Sequence, residues 1–226
     1  MIMKKTVKHI AATAALALMV ATGCAHMELE KPGAEDAAEE TARDDQGLTP
    51  EERLELGSIY ESRGEDDLAL EQYEKVSEED RYNADAYFAL ANLHMKREEL
   101  DEAEKNYARA LEINPTGPYY NNLGWLYMEK GRFDRAEEEV RKAMKADPAK
   151  RYIYLDTLGV IQMRRSRYGE AEKSLTEAAA LTPADQAGGL EEIYTHLEEL
   201  YERTGERSKA EAVRDKLERL GEAEGE

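Results

Sequence analysis

The sequence predicts an all-α chain built from a repeated pair of helices, and three observations carry that prediction. Gly (15) and Pro (6) are scarce among the 226 residues. Ala, Glu, Leu and Tyr abound and β-branched runs are missing, a composition that favours helix almost throughout. An alanine recurs as Ala69, Ala103, Ala136, Ala171 and Ala210, at spacings of 34, 33, 35 and 39 residues, and a proline follows twelve residues after three of them, at Pro115, Pro148 and Pro183. Self-similarity at one period of about 20–50 residues is the mark of a stacked array.

The chain opens with a segment of its own kind. Lys4, Lys5 and Lys8 precede an apolar run from Ile10 to about Thr22, the order of a secretory leader. That run of about 13 residues is too short to cross a bilayer, where roughly 20 are needed. It ends in Ala21-Thr22-Gly23-Cys24, which resembles the bacterial lipoprotein signal. The resemblance implies removal of residues 1–23 and acylation of Cys24, the only cysteine, which then becomes the first residue of the mature protein. The alternative is an ordinary leader cleaved nearby, leaving a free thiol. Stable anchoring takes more than one acyl chain, and the bacterial lipoproteins carry several. Ala25 is not the Asp that retains many such proteins in the inner membrane, so the resemblance points to the outer membrane, facing the periplasm.

Residues 24–48 come next, with eight acids, two bases and almost no large apolar side chains after the cysteine. Such a stretch buries too little surface to offset its ordering entropy, so a disordered acidic tether is expected.

From 49 to 221 the repeats follow. Each carries two amphipathic helices, about Pro50 to Arg63 and Asp66 to Ser77 in the first, with apolar residues at three- and four-residue spacing. Gly64, Gly131 and Gly205 fall between paired helices, where a left-handed residue would stop the first of them. Small residues at Gly57, Ala91, Gly124 and Gly159 face Ala69, Ala103, Ala136 and Ala171 and let the helices approach closely. Tyr60, Tyr73, Tyr107 and Tyr127 fill the space between them. Pro115, Pro148 and Pro183 end the second helices.

Leu-Gly, aromatic, Ala and Pro in this order resemble the tetratricopeptide repeat, matched about five times in tandem. The resemblance implies a right-handed superhelical solenoid of about five helix pairs. One pair cannot bury its own apolar face, so stacked neighbours supply the core. Arg53 stands where later repeats carry Tyr87, Tyr120, Leu155 and Tyr194, which suggests an exposed first edge. Glu198 and Arg214 suggest a polar capping repeat at the other end. The 39-residue step predicts a longer loop around Pro183 to Leu190, and residues 222–226 are expected to be disordered.

Charge and motifs exclude several functions. The net charge of −19, with no basic block beyond the first ten residues, argues against a nucleic-acid partner. One cysteine builds no disulfide framework and no multi-cysteine metal site. His94 takes a position that sister repeats fill with Tyr, and His196 has no second histidine nearby in sequence. No HExxH, phosphate loop, GxSxG or EF-hand loop occurs. Carboxylate runs such as Glu137-Glu138-Glu139 read as solvated helix faces. The expectation is no catalytic residue, no metal and no cofactor.

Binding is the expected function. The resemblance implies that the first helix of each pair lines a groove, into which it places Phe88, Asn92 and Met95 from the second repeat, Asn121, Trp125 and Met128 from the third, and Asp156, Val160 and Met163 from the fourth. Methionine suits adaptable peptide surfaces, and Trp and Phe supply anchor area. The alternative is that these residues pack between helices. The carboxylate clamp of some family members needs basic residues where Phe88, Ile153 and Thr157 stand, and only Asn92 and Asn122 match it. The expected protein is a lipid-anchored scaffold binding envelope proteins or peptides and touching membrane through its anchor alone. It looks like the pilotin-type lipoproteins that assist a type IV pilus secretin, or else an adaptor that docks peptidoglycan hydrolases.

Overall fold

The computed structural model describes residues 47–224. The expected leader (1–23), Cys24 and nearly all of the tether (24–48) lie outside the described residues. Every regular element among the described residues is helical. In order these are α1 (Pro50–Ser62), α2 (Asp66–Glu79), α3 (Ala84–Lys96), α4 (Leu100–Ile113), α5 (Gly117–Glu129), α6 (Phe133–Ala146), a 3-10 turn (Pro148–Lys150), α7 (Arg151–Arg164), α8 (Tyr168–Leu181), α9 (Ala187–Thr204) and α10 (Arg207–Glu224).

Local chemistry sets most of the boundaries. Thr49 starts α1 with a capping box: its Oγ1 accepts the Glu52 amide at 3.3 Å, and its own amide donates to Glu52 Oε2 at 2.9 Å. Asn83 Oδ1 accepts the Ala86 amide at 3.0 Å and starts α3. Pro115, Pro148 and Pro183 each stand two residues beyond the end of α4, α6 and α8.

The turn inside each pair uses a left-handed residue. Gly64, Gly131 and Gly205 have φ of 74°, 68° and 77°, and the same place in the other two repeats is held by Glu98 (φ 61°) and Ser166 (φ 59°). A side chain in that conformation costs about 1–2 kcal/mol, while a glycine loses about 0.4–1 kcal/mol of chain entropy on folding. Glu98→Gly and Ser166→Gly should therefore each stabilise the protein by roughly 0.5–1 kcal/mol, read as a higher denaturant midpoint at unchanged slope.

Paired helices pack closest where small residues meet. A Cβ added to Gly124 would stand 2.7 Å from Val140 Cγ2 and 3.3 Å from the Ala136 carbonyl oxygen, so α5 and α6 touch almost backbone to backbone. Around these contacts Ala69, Tyr73, Ala103, Tyr107, Ala136, Val140, Ala171 and Leu175 are buried. Each second helix then packs on the next first helix, α2 on α3, α4 on α5, α6 on α7 and α8 on α9. First helices also touch one another, α3 to α5, α5 to α7 and α7 to α9, while second helices make no comparable contact. The first helices thus form the inner layer of the solenoid.

A recurring ionic contact clasps each repeat to the one before. Lys96 reaches Asp66 at 2.5 Å, Lys130 reaches Asp101 at 2.6 Å, Arg165 reaches Asp134 at 2.7 Å and Lys209 reaches Glu172 at 2.7 Å. In each, a base near the turn of one hairpin meets an acid at the start of the preceding second helix. Exposed pairs of this kind contribute about 0–1 kcal/mol each and chiefly orient the stack.

Three expectations need correction. Arg53 does not mark an exposed edge: it is 7% exposed, with Nη1 donating to Gln72 Oε1 at 3.2 Å and Nε paired with Glu79 at 3.5 Å. The edge shows instead at Ile59, 39% exposed, whose counterparts Leu93, Leu126 and Ile161 are fully covered because a repeat precedes them. The extra residues of the fifth repeat lengthen a helix rather than a loop, since α9 starts at Ala187 and runs for 18 residues through Gly188, Gly189 and Leu190. Finally, α10 continues to Glu224, into the stretch expected to be disordered. The capping pair does form, with Arg214 Nε donating to Glu198 Oε1 at 2.7 Å.

Candidate functional site

The inner layer carries a groove of about 220 Å³ where α5, α7 and α9 run side by side, lined by Trp125, Val160, Met163, Arg164, His196, Glu199 and Arg203. Its register follows from the repeat. Trp125 comes one residue after Gly124, and Val160 one residue after Gly159, so the same close approach that seats each glycine against the second helix turns the next side chain inward. Trp125 is half-buried, with part of its ring against the core that includes Val160 and Met163.

The nine predicted groove residues divide by location. Trp125, Val160 and Met163 meet in the groove. Asp156 is buried on α7 and bonds to His196, which is part of the groove wall. Asn121 is buried, and among the described residues its Oδ1 has no hydrogen-bond partner, an arrangement that costs about 1–3 kcal/mol. The other four lie in packing contacts. Phe88 stacks on Tyr119 with centroids 4.4 Å apart and leans on Tyr107 at 5.9 Å. Asn92 Oδ1 accepts from the Tyr107 hydroxyl at 2.6 Å and from Asn122 Nδ2 at 2.9 Å, which ties α3 to α4 and α5. Met95 packs against the core formed by α3, α4 and α5. Met128 is 3% exposed, inside the larger core.

Charge in the groove is mixed. Arg203 pairs with Glu199 at 2.5 Å and Arg164 with Glu129 at 3.9 Å, so both guanidiniums stand at the rim with an acid beside them. His196 Nδ1 lies 2.8 Å from Asp156 Oδ1. Burial is the largest single influence on the imidazole and disfavours its proton. The bond to Asp156 and the charges of Asp156, Glu192 and Glu199 together outweigh burial and hold the ring above the ordinary histidine range. His94, the other described histidine, meets Glu99 at 2.6 Å at the α3 to α4 turn. Arg164, His196, Glu199 and Arg203 were not among the predicted site residues. Glu199 stands two residues after Leu197, the place that Trp125 and Val160 hold after Leu123 and Leu158, so the repeat register did signal it; the extra residues of α9 lie at its start and leave that register unchanged.

Stacked helical hairpins with an inner groove have the architecture of an interaction scaffold. Residues 84–116 and 117–150, the second and third helix pairs, match the tetratricopeptide repeat family, and the described body is an all-α solenoid like that of such repeats. A segment of 71 residues is 44% identical to the human protein O-mannosyl-transferase TMTC3, covering 28% of this chain and 8% of that protein. Among solved structures the chain is similar to PilW, a type IV pilus biogenesis factor, with a TM-score of 0.68 and 22% identity over 76% of this chain and 78% of that one. It is similar to pilF of Pseudomonas aeruginosa, with a TM-score of 0.65 and 21% identity over 76% of each chain. At these identities the likeness is one of fold. Among the described residues no helix is long and apolar enough to cross a membrane.

Proposed function

We propose that this protein is a lipid-anchored scaffold in the periplasm that uses the α5, α7 and α9 groove to hold an extended segment of an envelope protein, and so assists assembly of an envelope machine such as a type IV pilus or its secretin. The observation that carries the binding mode is the meeting of Trp125, Val160 and Met163 in one groove with paired charges at its rim. An apolar floor with a polar rim is the ordinary anatomy of a peptide-binding surface. The fold likeness to PilW, a type IV pilus biogenesis factor, supports the choice of machine, and the Ala21-Thr22-Gly23-Cys24 sequence supports the anchor.

Two measurements test this. Cys24→Ser should move the protein from the membrane to the soluble fraction or leave an unprocessed precursor; stable retention of the variant in outer membranes without detergent would refute the anchor. Deletion of the gene should abolish surface pili and leave cell shape unchanged, whereas altered shape with intact pili would refute the proposed machine.

A further inference from the structure

The last two repeats bring together three metal-ligating side chains that are far apart in sequence. Glu192 and His196 are one helical turn apart on α9 and project from the same face. That face meets α7 where Asp156 is buried. One ligand atom from each of the three lies within 4.8 Å of the other two. We propose that Asp156, Glu192 and His196 form a binding site for a divalent transition-metal ion of the zinc, cobalt or nickel type, at the junction of the fourth and fifth repeats.

The geometry requires small movements only. Around a tetrahedral ion with bonds of about 2.0–2.2 Å, neighbouring ligand atoms stand roughly 3.3 Å apart. The Asp156 to His196 separation of 2.8 Å would open by about half an ångström. Glu192 is exposed, and rotation about its own side-chain bonds brings its carboxylate inward without moving either helix. One imidazole and two carboxylates suit zinc or its neighbours. Calcium and magnesium ask for about six or more oxygens, and monovalent copper asks for sulfur. Two carboxylates also balance a dication, and the field of Asp156, Glu192 and Glu199 that favours a proton on the ring favours a metal there too. Three protein ligands leave a fourth position for water.

The test uses the whole protein, stripped of metal by a chelator and titrated with Co²⁺. Trp125, the only tryptophan, shares the groove with His196 and reports on the site through its emission. Saturable quenching at one equivalent is expected, together with a visible Co²⁺ absorption band, both reversed by Zn²⁺. His196→Gln should abolish both signals. Glu192→Gln keeps the His196 to Asp156 contact and should weaken binding by at least about tenfold. Circular dichroism checks that each variant folds, and if His196→Gln does not, Glu192→Gln decides alone. Absence of a saturable Trp125 response, or a response unchanged in Glu192→Gln, would overturn the assignment.

Discussion

Trp125→Ala is expected to weaken capture of the partner segment by at least about thirtyfold, the equivalent of the 2 kcal/mol that truncating an aromatic anchor commonly costs. The indole is half-buried: one part rests on the core and the rest forms the wall of the groove with Val160 and Met163. Laying an apolar side chain across it would remove the exposed part from water, and no neighbouring residue replaces that surface once the ring is gone. The same truncation removes some core contact. A fully buried Trp→Ala change costs about 3–5 kcal/mol, so a half-buried ring should cost roughly 1–2 kcal/mol in stability. The two effects separate when affinity is expressed per folded molecule, by calorimetry below the shifted melting temperature. Unchanged affinity of the folded fraction would place the binding surface away from α5, and the groove would then be a packing seam.

Ala136→Leu should destabilise the protein by about 1–3 kcal/mol through overpacking. Ala136 is fully buried on α6, and its carbonyl oxygen stands 3.3 Å from where a Cβ on Gly124 would be. Three further carbons have nowhere to go without separating α5 from α6, and Val140 one turn on is equally covered. For a body of this size each kcal/mol moves the midpoint of thermal unfolding by about 2–4 °C, so a drop of several degrees is expected. Ala180→Leu, at an exposed position on α8, serves as the control and should stay within about 0.5 kcal/mol of the parent. Equal melting temperatures for the two variants would refute the pairing of Gly124 with Ala136.

Much of the architecture was legible because its causes are local. The left-handed turns at Gly64, Gly131 and Gly205 announce themselves, since glycine is the residue that adopts that conformation at least cost. Glu98 and Ser166 hold the same conformation without such a signal, and the turn there is held by the hairpin on either side. The site was less legible. Met128 and Met163 occupy the same repeat position in the sequence, yet Met128 lies in the core while Met163, also largely covered, has an edge on the groove. Phe88 reads as a groove anchor by position and is an interhelical stacking partner by environment.

The period of the alanines, the capping chemistry at Thr49 and Asn83, and the prolines beyond α4, α6 and α8 determined by themselves that the chain is a stack of helical hairpins, because each acts within one turn or one hairpin. Only the tertiary structure decided that Arg53 is buried against Gln72, that the surplus residues of the fifth repeat extend α9, and that Asp156 meets His196 across forty residues. Contacts between repeats depend on rotation accumulated from one hairpin to the next.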